Sequence, residues 1–371
     1  MKALLTVLAL WALWPRAAGD LAGPFAVAEP WRPAPRASWT VPRRAYGDVR
    51  RVALPGATTT GVQAMPDGRV VVGVWASGGG GLALVDPADL SACEVRLPER
   101  VSRPLAVGPD GTVYAIGDTP TLYVVAPDGT LRASVPLPNA GLAVPAVRPD
   151  GTVAIAAQMT STESEILLVG ARGEALGHRR VPATILGPPV VLGEELLVPI
   201  PGGTLRLLPG GGIARNAGLP GAGAVTASGD TLVAAAGNAV ELLGPTGGLR
   251  RVVELGAPVP SAFALSSGRA LALRLGTPPE LFLLAPSGEV LARVPAVVSA
   301  GRPLEGSDGA MVVPSGAGEL LALEADGRPR WIQRVGDSLR LPAAALPGGG
   351  LAVAAPSAMV LLREAPASDA R

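Results

Sequence analysis

Lysine, cysteine and histidine are almost missing from this sequence, and each shortage excludes some chemistry. Lys2 is the only lysine, so arginine carries nearly all of the positive charge. Cys93 is the only cysteine, which rules out a disulfide within the chain. His178 is the only histidine, so a histidine-rich zinc site cannot form and any histidine-based relay would depend on it. We expect Cys93 to be a buried, inert thiol and His178 to be a solvated residue at a sheet edge.

Net charge and aromatic side chains are also scarce. The 31 basic and 30 acidic residues nearly cancel, which argues against a nucleic-acid partner and against a membrane-surface patch. Aromatic residues make up only 3%, so the core must consist of Val, Leu and Ala. Glycine (49 residues) and proline (39 residues) are abundant, and no long stretch has the apolar period of a helix. Short apolar runs between these breakers predict an all-β fold.

The first 19 residues have the pattern of a secretory signal peptide. Lys2 supplies the positive charge, residues 3–14 are apolar, and small residues precede Asp20. The apolar stretch is shorter than the roughly 20 residues that a membrane span needs. We therefore expect an exported protein, periplasmic or secreted, with no transmembrane segment after cleavage. The alternative is an uncleaved N-terminal anchor.

Residues 20–47 form an arm rich in Pro, Arg and Trp. Its prolines prevent a regular helix and disfavour a central strand. One interpretation is an extended linker that lies over the following domain through Trp31 and Trp39. The other is a partner-docking arm that uses the arginine pairs at 43–44 and 50–51. At the other end of the chain, residues 364–371 are a polar tail.

A repeat of 36 to 43 residues runs through residues 48–363. Each unit contains two turns between apolar runs, and this spacing is typical of a propeller in which one repeat is one four-stranded blade. Asp-Gly between apolar runs is a strong hairpin signal, because both central residues of such a turn tolerate positive φ. The first turns fall at Asp67-Gly68, Asp110-Gly111, Asp150-Gly151, Gly193-Glu194, Gly229-Asp230, Gly268-Arg269, Asp308-Gly309 and Gly348-Gly349.

The eighth unit has no fourth strand, and the N-terminal end of the domain offers one. Residues 49–54 precede the first unit and resemble the fourth strands of other units. A ring that stayed open would leave two exposed sheet edges. The sequence therefore predicts an eight-bladed β-propeller, all-β, whose last blade is completed by the N-terminal strand. The alternative is seven blades and one degenerate repeat.

The run Leu-Ala-Leu-Glu-Ala-Asp-Gly-Arg-Pro-Arg-Trp at residues 321–331 resembles the repeats of the quinoprotein-like β-propeller superfamily. There the pattern marks a third strand, a turn and a fourth strand with a docking tryptophan, here Trp331. The resemblance implies either a quinone-dependent dehydrogenase or a non-enzymatic scaffold. The dehydrogenases share a vicinal disulfide, which a single cysteine cannot form. The resemblance therefore favours the non-enzymatic branch and no cofactor.

A metal-dependent hydrolase of the lactonase type is the alternative function. Lactonase-type propellers bind a divalent metal near the central axis with Glu, Asn and Asp. Hard cations need several oxygen ligands, which would have to come from different blades. No spacing singles out a set, so no metal site is predicted. The possible ligands are Asn139, Asn238, Asp118, Glu163, Glu165 and Asp337.

The funnel face is the face on which a propeller carries the loops between blades and the loops between second and third strands. Arg103-Pro104 and Arg302-Pro303 recur where the chain enters a blade. These arginines form either a guanidinium collar for an anionic peptide or glycan, or ordinary solvated loop charges. Residues 158–165 are the longest polar insertion and the best candidate contact loop. The candidate binding residues on this face are Trp75, Arg103, Asp118, Gln158, Glu163, Glu165, Arg274, Arg302, Asp337 and Arg340.

These features predict an exported, non-catalytic and monomeric scaffold. Its partner would be a protein or peptide bound across the funnel face, with no cofactor, metal or nucleic acid involved.

Overall fold

A computed structural model gives the fold and describes residues 39–138, 145–187, 189–192, 195–208, 213–217, 222–228, 231–295 and 301–364. The expected signal peptide, Trp31, Asn139 and residues 365–371 of the tail lie outside these residues. The described residues form 33 β-strands and contain no helix, which confirms the all-β class.

The strands are mostly two to seven residues long, and eight sheets contain them. Numbered along the chain, they are β1 (Asp48–Ala53), β2 (Ala57–Thr58), β3 (Gln63–Ala64), β4 (Val70–Ala76), β5 (Gly79–Val85), β6 (Ala92–Leu97), β7 (Ala106–Val107), β8 (Val113–Ile116), β9 (Thr121–Val125), β10 (Leu131–Pro136), β11 (Ala146–Val147), β12 (Val153–Gln158), β13 (Ser164–Val169), β14 (Ala175–Val181), β15 (Val190–Leu192), β16 (Glu195–Ile200), β17 (Gly203–Leu207), β18 (Ile213–Ala217), β19 (Ala222–Ser228), β20 (Thr231–Ala236), β21 (Ala239–Leu243), β22 (Leu249–Glu254), β23 (Ser261–Ala264), β24 (Ala270–Arg274), β25 (Glu280–Leu284), β26 (Val290–Pro295), β27 (Leu304–Glu305), β28 (Met311–Pro314), β29 (Glu319–Leu323), β30 (Pro329–Arg334), β31 (Arg340–Ala345), β32 (Leu351–Ala355) and β33 (Ala358–Arg363).

The eight sheets are the blades of a closed ring. β2–β6 form the first blade, and each following group of four strands forms the next, up to β27–β30 in the seventh. The eighth blade combines β31, β32 and β33 with β1, whose Val52 pairs with Met359. The predicted eight-bladed propeller with a composite last blade is thus confirmed, and the seven-bladed alternative is wrong.

The core is divided among the seams between blades. Successive residues of a strand point to opposite faces, so each strand packs on two neighbouring blades. In β4, Val71 packs against the second blade with Ala115, whereas Val72 packs against the eighth blade with Ala352. All four side chains are fully buried. Because both faces are covered, the inner strands are continuous apolar runs rather than alternating ones.

In the first turn of a blade, one residue has a positive φ and a hydrogen bond closes the turn. The Gly68 N–H donates to the Met65 carbonyl at 3.0 Å, and the Arg69 N–H donates to the Asp67 carboxylate at 3.0 Å. Gly68 has a φ of 90°, but Leu90 is the only described residue other than glycine with a positive φ. Of the two central residues at Asp67-Gly68, only the glycine therefore adopts a positive φ. Aspartate serves as a hydrogen-bond acceptor for the turn, and glycine alone supplies the left-handed conformation.

The described end of the N-terminal arm packs into the seam between the seventh and eighth blades. Trp39, Val41 and Tyr46 are all buried there, among residues of both blades. The Tyr46 ring meets the Trp331 ring edge-on, with 5.6 Å between centroids. From Trp39 onward the described part of the arm is therefore packed into the propeller.

Polar groups of β30 hold the backbone of the arm. The Trp331 indole N–H donates to the Pro42 carbonyl at 2.9 Å. The Gln333 amide exchanges two hydrogen bonds with the backbone of Tyr46, at 2.8 and 3.0 Å. The Arg330 side chain, only 4% exposed, donates to the carbonyl of Val41 and forms a salt bridge with Glu324 in the turn before β30. Trp331, singled out in the sequence by its resemblance to a docking tryptophan, thus binds the chain's own arm.

The two arginine pairs proposed for partner docking have different surroundings. Arg43 is 84% exposed and lies 3.5 Å from Glu324. Arg50 and Arg51 belong to β1: Arg50 binds Asp48, and Arg51 donates to the Val335 carbonyl at 2.8 Å. Arg51 therefore links β1 to the chain that leaves the seventh blade, whereas Arg50 pairs within its own strand.

Candidate functional site

Two neighbouring inner strands leave the regular pattern where the ring closes. In the first blade, β2 and β3 both pair with β4 but are separated by residues 59–62. In the eighth blade, the register of β31 shifts between Arg340 and Ala344, a segment that contains Pro342. Proline cannot donate to a ladder, so a bulge at this point is expected.

The two irregular segments contact each other. The Val62 N–H donates to the Pro342 carbonyl at 2.9 Å. A Cβ atom at Gly61 would lie 2.1 Å from the Leu341 carbonyl carbon, so only glycine allows this approach. Because both segments turn away from their own sheets, space opens beside them on the funnel face.

That space is a cavity of about 270 Å³. Its walls come from the segment between β2 and β3 of the first blade, the loop between the first two blades, a loop of the seventh blade and the start of the eighth. The lining includes hydroxyl-bearing side chains, two leucines, a proline and one guanidinium. The lining residues are Thr59, Thr60, Gly61, Ser102, Pro104, Gly316, Leu339, Arg340 and Leu341.

Most hydroxyl groups of the cavity are already used by the fold. The Thr60 hydroxyl accepts from the Gly73 N–H at 2.8 Å and donates to the Gly61 carbonyl at 2.9 Å. The Ser102 hydroxyl donates to Asp118. The Thr59 hydroxyl oxygen is buried and has no hydrogen-bond partner among the described residues. It is the polar group that a ligand in the cavity could satisfy.

The acidic side chains beside the cavity are also engaged. The Glu99 carboxylate accepts from the Thr119 hydroxyl at 2.6 Å and from the Tyr123 hydroxyl at 2.7 Å. Burial, together with the hydrogen bond to Glu99, raises the pKa of Tyr123, so its phenol stays protonated and donates. The Asp118 carboxylate accepts from Ser102. Neither acid is paired with an arginine in the described part of the chain.

Three of the predicted arginines lie around the cavity and the channel without an acidic partner among the described residues. Arg340 lines the cavity and is exposed, and Arg103 is half-buried between two lining residues. Arg302 is exposed and donates to the carbonyl of Ala227 at 2.9 Å. Ala227 belongs to β19 of the fifth blade, so this side chain spans the inner edge of the sixth. By contrast, Arg274 is paired with Glu280 at 2.5 Å.

The other predicted residues of the funnel face are dispersed. Trp75 is 43% exposed near the end of β4, where it pairs with Ala57 just before the cavity-lining segment. Gln158 and Glu163 belong to the third blade, and the Gln158 amide donates to the carbonyl of Thr160 within its own loop at 3.1 Å. Asp337 lies 3.3 Å from Arg334. The structure brings together Trp75, Arg103, Asp118 and Arg340, whereas the loop at 158–165 lies apart from the cavity.

Glu165 does not face the funnel, contrary to our prediction. It is the second residue of β13, its side chain is 4% exposed, and it contacts the Nδ1 atom of His178 on the outer strand β14. The long polar insertion ends earlier than its sequence suggests, because Ser164 already pairs in the sheet. His178 is 49% exposed, as expected of an edge residue, but it also covers a buried carboxylate.

The prediction of a buried Cys93 is also wrong, although its place in a fourth strand is correct. Cys93 lies in β6 and is exposed. Side chains of an outer strand alternate between the neighbouring blade and solvent, and Val95, two residues on, is buried. The alternation is imperfect in β6, where three consecutive residues at its start are exposed.

The structure gives the hydrolase alternative no ligand set. Glu165 points to the outer strand and Asp118 is bound to Ser102, while Asn139 lies outside the described residues. In the part of the chain that the structure describes, no three side chains of His, Cys, Asp or Glu come close enough to hold a metal ion.

Sequence reasoning missed the residues that form the cavity, except Arg340. The segment Thr59–Gly61 reads as an unremarkable loop, and Leu341 reads as part of a strand. The available signal was Pro342 inside an inner strand, together with Gly61 in the segment that meets it. Proline within a strand predicts a bulge, but not what the bulge contacts.

The architecture matches solved propellers of several kinds. The chain is similar to the C-terminal WD40 domain of Sif2, with a TM-score of 0.67, 12% identity and coverage of 85% of this chain and 99% of that one. BamB from Moraxella catarrhalis gives a TM-score of 0.55 and 14% identity over 90% and 96% of the two chains. Streptogramin B lyase gives a TM-score of 0.54 and 13% identity over 85% and 97%.

These likenesses establish the β-propeller fold. At such identities they show the fold alone, and the neighbours include both a lyase and a WD40 domain. Comparison of the sequence with protein-family models and with curated proteins finds no match. Within the described residues there is no helix of the length and apolarity needed to cross a membrane.

Proposed function

We propose that this protein is a non-catalytic scaffold that binds a protein or peptide partner on its funnel face. The observation that carries the proposal is the cavity of about 270 Å³ at the ring closure, with Arg340 in its lining and the exposed Trp75 on the adjoining strand. Exposed tryptophan and arginine are enriched among the residues that dominate protein interfaces. We also propose that the repeats are of the quinoprotein-like kind, in its non-enzymatic branch.

The positions of the reactive side chains support a binding role over catalysis. Cys93 and His178 both lie on outer strands, in β6 and β14, whereas the cavity is at the inner strands. The Ser102 hydroxyl in the cavity donates to the carboxylate of Asp118 in the β8–β9 loop. A serine nucleophile needs an adjacent base that is held by a third group, and the sole histidine is on another blade.

The test is affinity capture from native envelope and culture-fluid fractions with the mature chain as bait. The bait variant carries Trp75→Ser and Arg340→Ser. Its matched control carries Leu176→Ser, which removes a 52% exposed side chain from the outer strand β14. We expect one stoichiometric partner that the control retains and the double variant loses. Equal capture by the double variant, or no stoichiometric partner with any bait, would contradict the proposal.

We further propose that residues 1–19 direct export and are removed. The positive charge, apolar stretch and small residues before Asp20 support this step. Amino-terminal sequencing of the protein isolated from its native source should begin at Asp20. A sequence that begins at Met1 in an otherwise intact protein would show that the leader is kept, as in the anchor alternative.

A further inference from the structure

We infer that the cavity at the ring closure recognises a peptide carboxylate with an aliphatic side chain beside it, as at the carboxyl terminus of a partner chain. This inference rests on the proposed binding function and adds the chemistry of the group that is bound. Three independent features of the site lead to it: the charge around the cavity, the apolar wall, and the size of the space.

The charge around the cavity is positive and unneutralised. Arg340 lines it, Arg103 lies between the lining residues Ser102 and Pro104, and neither has an acidic partner among the described residues. The two neighbouring acids, Glu99 and Asp118, are bound by hydroxyl and amide groups: Thr119 in the β8–β9 loop donates to Glu99, and Ser102 in the β6–β7 loop donates to Asp118. An anionic ligand would meet these guanidinium groups without having to displace an existing ion pair.

Arginines elsewhere on the ring provide the contrast. Arg274 is paired with Glu280 at 2.5 Å and Arg206 with Glu195 at 2.7 Å, each pair within one blade. Arginine in this protein is thus commonly matched with a carboxylate from an adjacent strand. A planar guanidinium that lacks such a match is suited to bind a carboxylate from another molecule in a bidentate manner.

The apolar wall decides which carboxylate fits. Leu339 and Leu341 flank Arg340 in sequence and line the same cavity, together with Pro104. The ligand must therefore place an aliphatic group and a negative charge within about one residue of each other. A carboxyl-terminal residue with an aliphatic side chain does this with a single residue, since its α-carboxylate and its side chain share one carbon atom.

The size of the space agrees with one residue. About 270 Å³ is enough for one amino-acid residue but too small for a folded element. The buried Thr59 hydroxyl, which has no partner among the described residues, adds a hydrogen-bonding group for the peptide end. Trp75 on the adjoining strand is placed to contact the preceding residues of the same peptide.

The experiment uses the full mature protein and three fluorescein-labelled hexapeptides in a polarisation titration. The first is Gly-Ser-Gly-Ser-Gly-Leu with a free carboxyl terminus, and the second is the same peptide as an amide. The third, Gly-Ser-Glu-Leu-Gly-Ser amide, carries an internal acid beside the leucine. We expect the free acid to bind roughly tenfold or more tightly than either amide, because one charge-assisted hydrogen bond contributes about that factor.

Two variants connect the effect to the site. Arg340→Gln should remove the preference for the free acid, so that the free acid and the two amides bind with similar affinity. Arg96→Gln is the matched control, since this arginine is 87% exposed on the outer strand β6, and it should keep the preference. If Arg340→Gln kept the preference for the free acid that the unaltered protein shows, the inference would be wrong.

The remaining outcomes separate this inference from the binding function. Equal binding of all three peptides, preference for the internal acid, or no binding of any of them overturns the terminal-carboxylate site. If the double variant of the capture experiment nevertheless loses the native partner, the scaffold function stands. In that case the cavity recognises a group other than a terminal carboxylate. If the double variant still captures the partner, the scaffold proposal itself fails, whatever the peptides do.

Discussion

Trp39→Ala should lower the free energy of unfolding by about 3–5 kcal/mol, the range for removal of a buried tryptophan. Trp39 is 5% exposed and lies with Val41 and Tyr46 between the seventh and eighth blades. The indole fills a seam whose other residues belong to rigid strands, so the surroundings can collapse only partly. Urea-induced unfolding, followed by tryptophan fluorescence and by circular dichroism, measures the change.

Trp75→Ala is the matched control for this prediction. It removes the same side chain, but from a position that is 43% exposed, so a change of about 1 kcal/mol or less is expected. If the two variants proved equally stable, the arm from Trp39 to Tyr46 would not be part of the folded domain. In that case the partner-docking interpretation of the arm would gain support.

Arg269→Met should destabilise the protein by about 3–5 kcal/mol at neutral pH, as expected when one partner of a buried ion pair is removed. Arg269 and Glu305 lie 3.0 Å apart between the sixth and seventh blades, with side chains 10% and 7% exposed. The Ser266 hydroxyl also donates to Glu305, at 2.6 Å. Without the guanidinium, a carboxylate would stay buried between two blades with only neutral donors.

The loss should depend on pH in a defined direction. Burial alone would raise the pKa of Glu305, but hydrogen bonds from Ser266, Ser267 and Arg269 outweigh it and hold the pKa below its usual range. A carboxyl group whose pKa is lowered on folding stabilises the protein at pH values above the ordinary pKa of a glutamate. This stabilisation is lost as the pH falls through the pKa of the folded state. The difference between the variant and the unaltered protein should therefore shrink as the pH falls below the ordinary glutamate pKa of about 4.3, because the unaltered protein then loses the stability that its ionised carboxylate contributes.

Arg274→Met is the control for the buried pair. It breaks the ion pair with Glu280 in the sixth blade, where both side chains are 23% exposed, so a loss of only about 1 kcal/mol is expected. Denaturant titrations of the two variants at pH 7 and near pH 4 test the prediction. Equal losses, or a loss from Arg269→Met that does not change with pH, would contradict it.

The repeat made the fold predictable, because turns recur at the same place in every blade. An aspartate that accepts from the amide two residues on, followed by a glycine at positive φ, marks the turn at Asp67 and recurs at Asp110, Asp150 and Asp308. Glycine-containing turns without this aspartate mark the other four blades, and counting all eight turns gives the number of blades. The eighth unit lacks a fourth strand after the run that contains Met359, which identifies β1 as the replacement. The structure pairs β1 with β33.

The cavity was not predictable in the same way, since it arises where the repeat is broken. Thr59 and Leu341 line it only because two inner strands bulge toward each other, and no pattern within either strand specifies that contact. Glu165 and Cys93 were misplaced for a related reason. Both lie where the burial of one side chain depends on the twist of its own blade and on the neighbouring blade, which a repeat count does not report.

The pairing of Val52 with Met359 also fixes the order of events during synthesis. β1 leaves the ribosome before the strands of the first blade, yet its partner β33 is the last strand to be made. The edge of β1 therefore has no partner strand until all the intervening blades have been translated. The same holds for the arm, whose binding seam lies between the seventh and eighth blades. Loop closure over such a separation makes this the slowest kind of contact to form. A chain interrupted between β32 and residue 358 has the first seven blades but lacks β33, the strand with which β1 pairs when the ring closes.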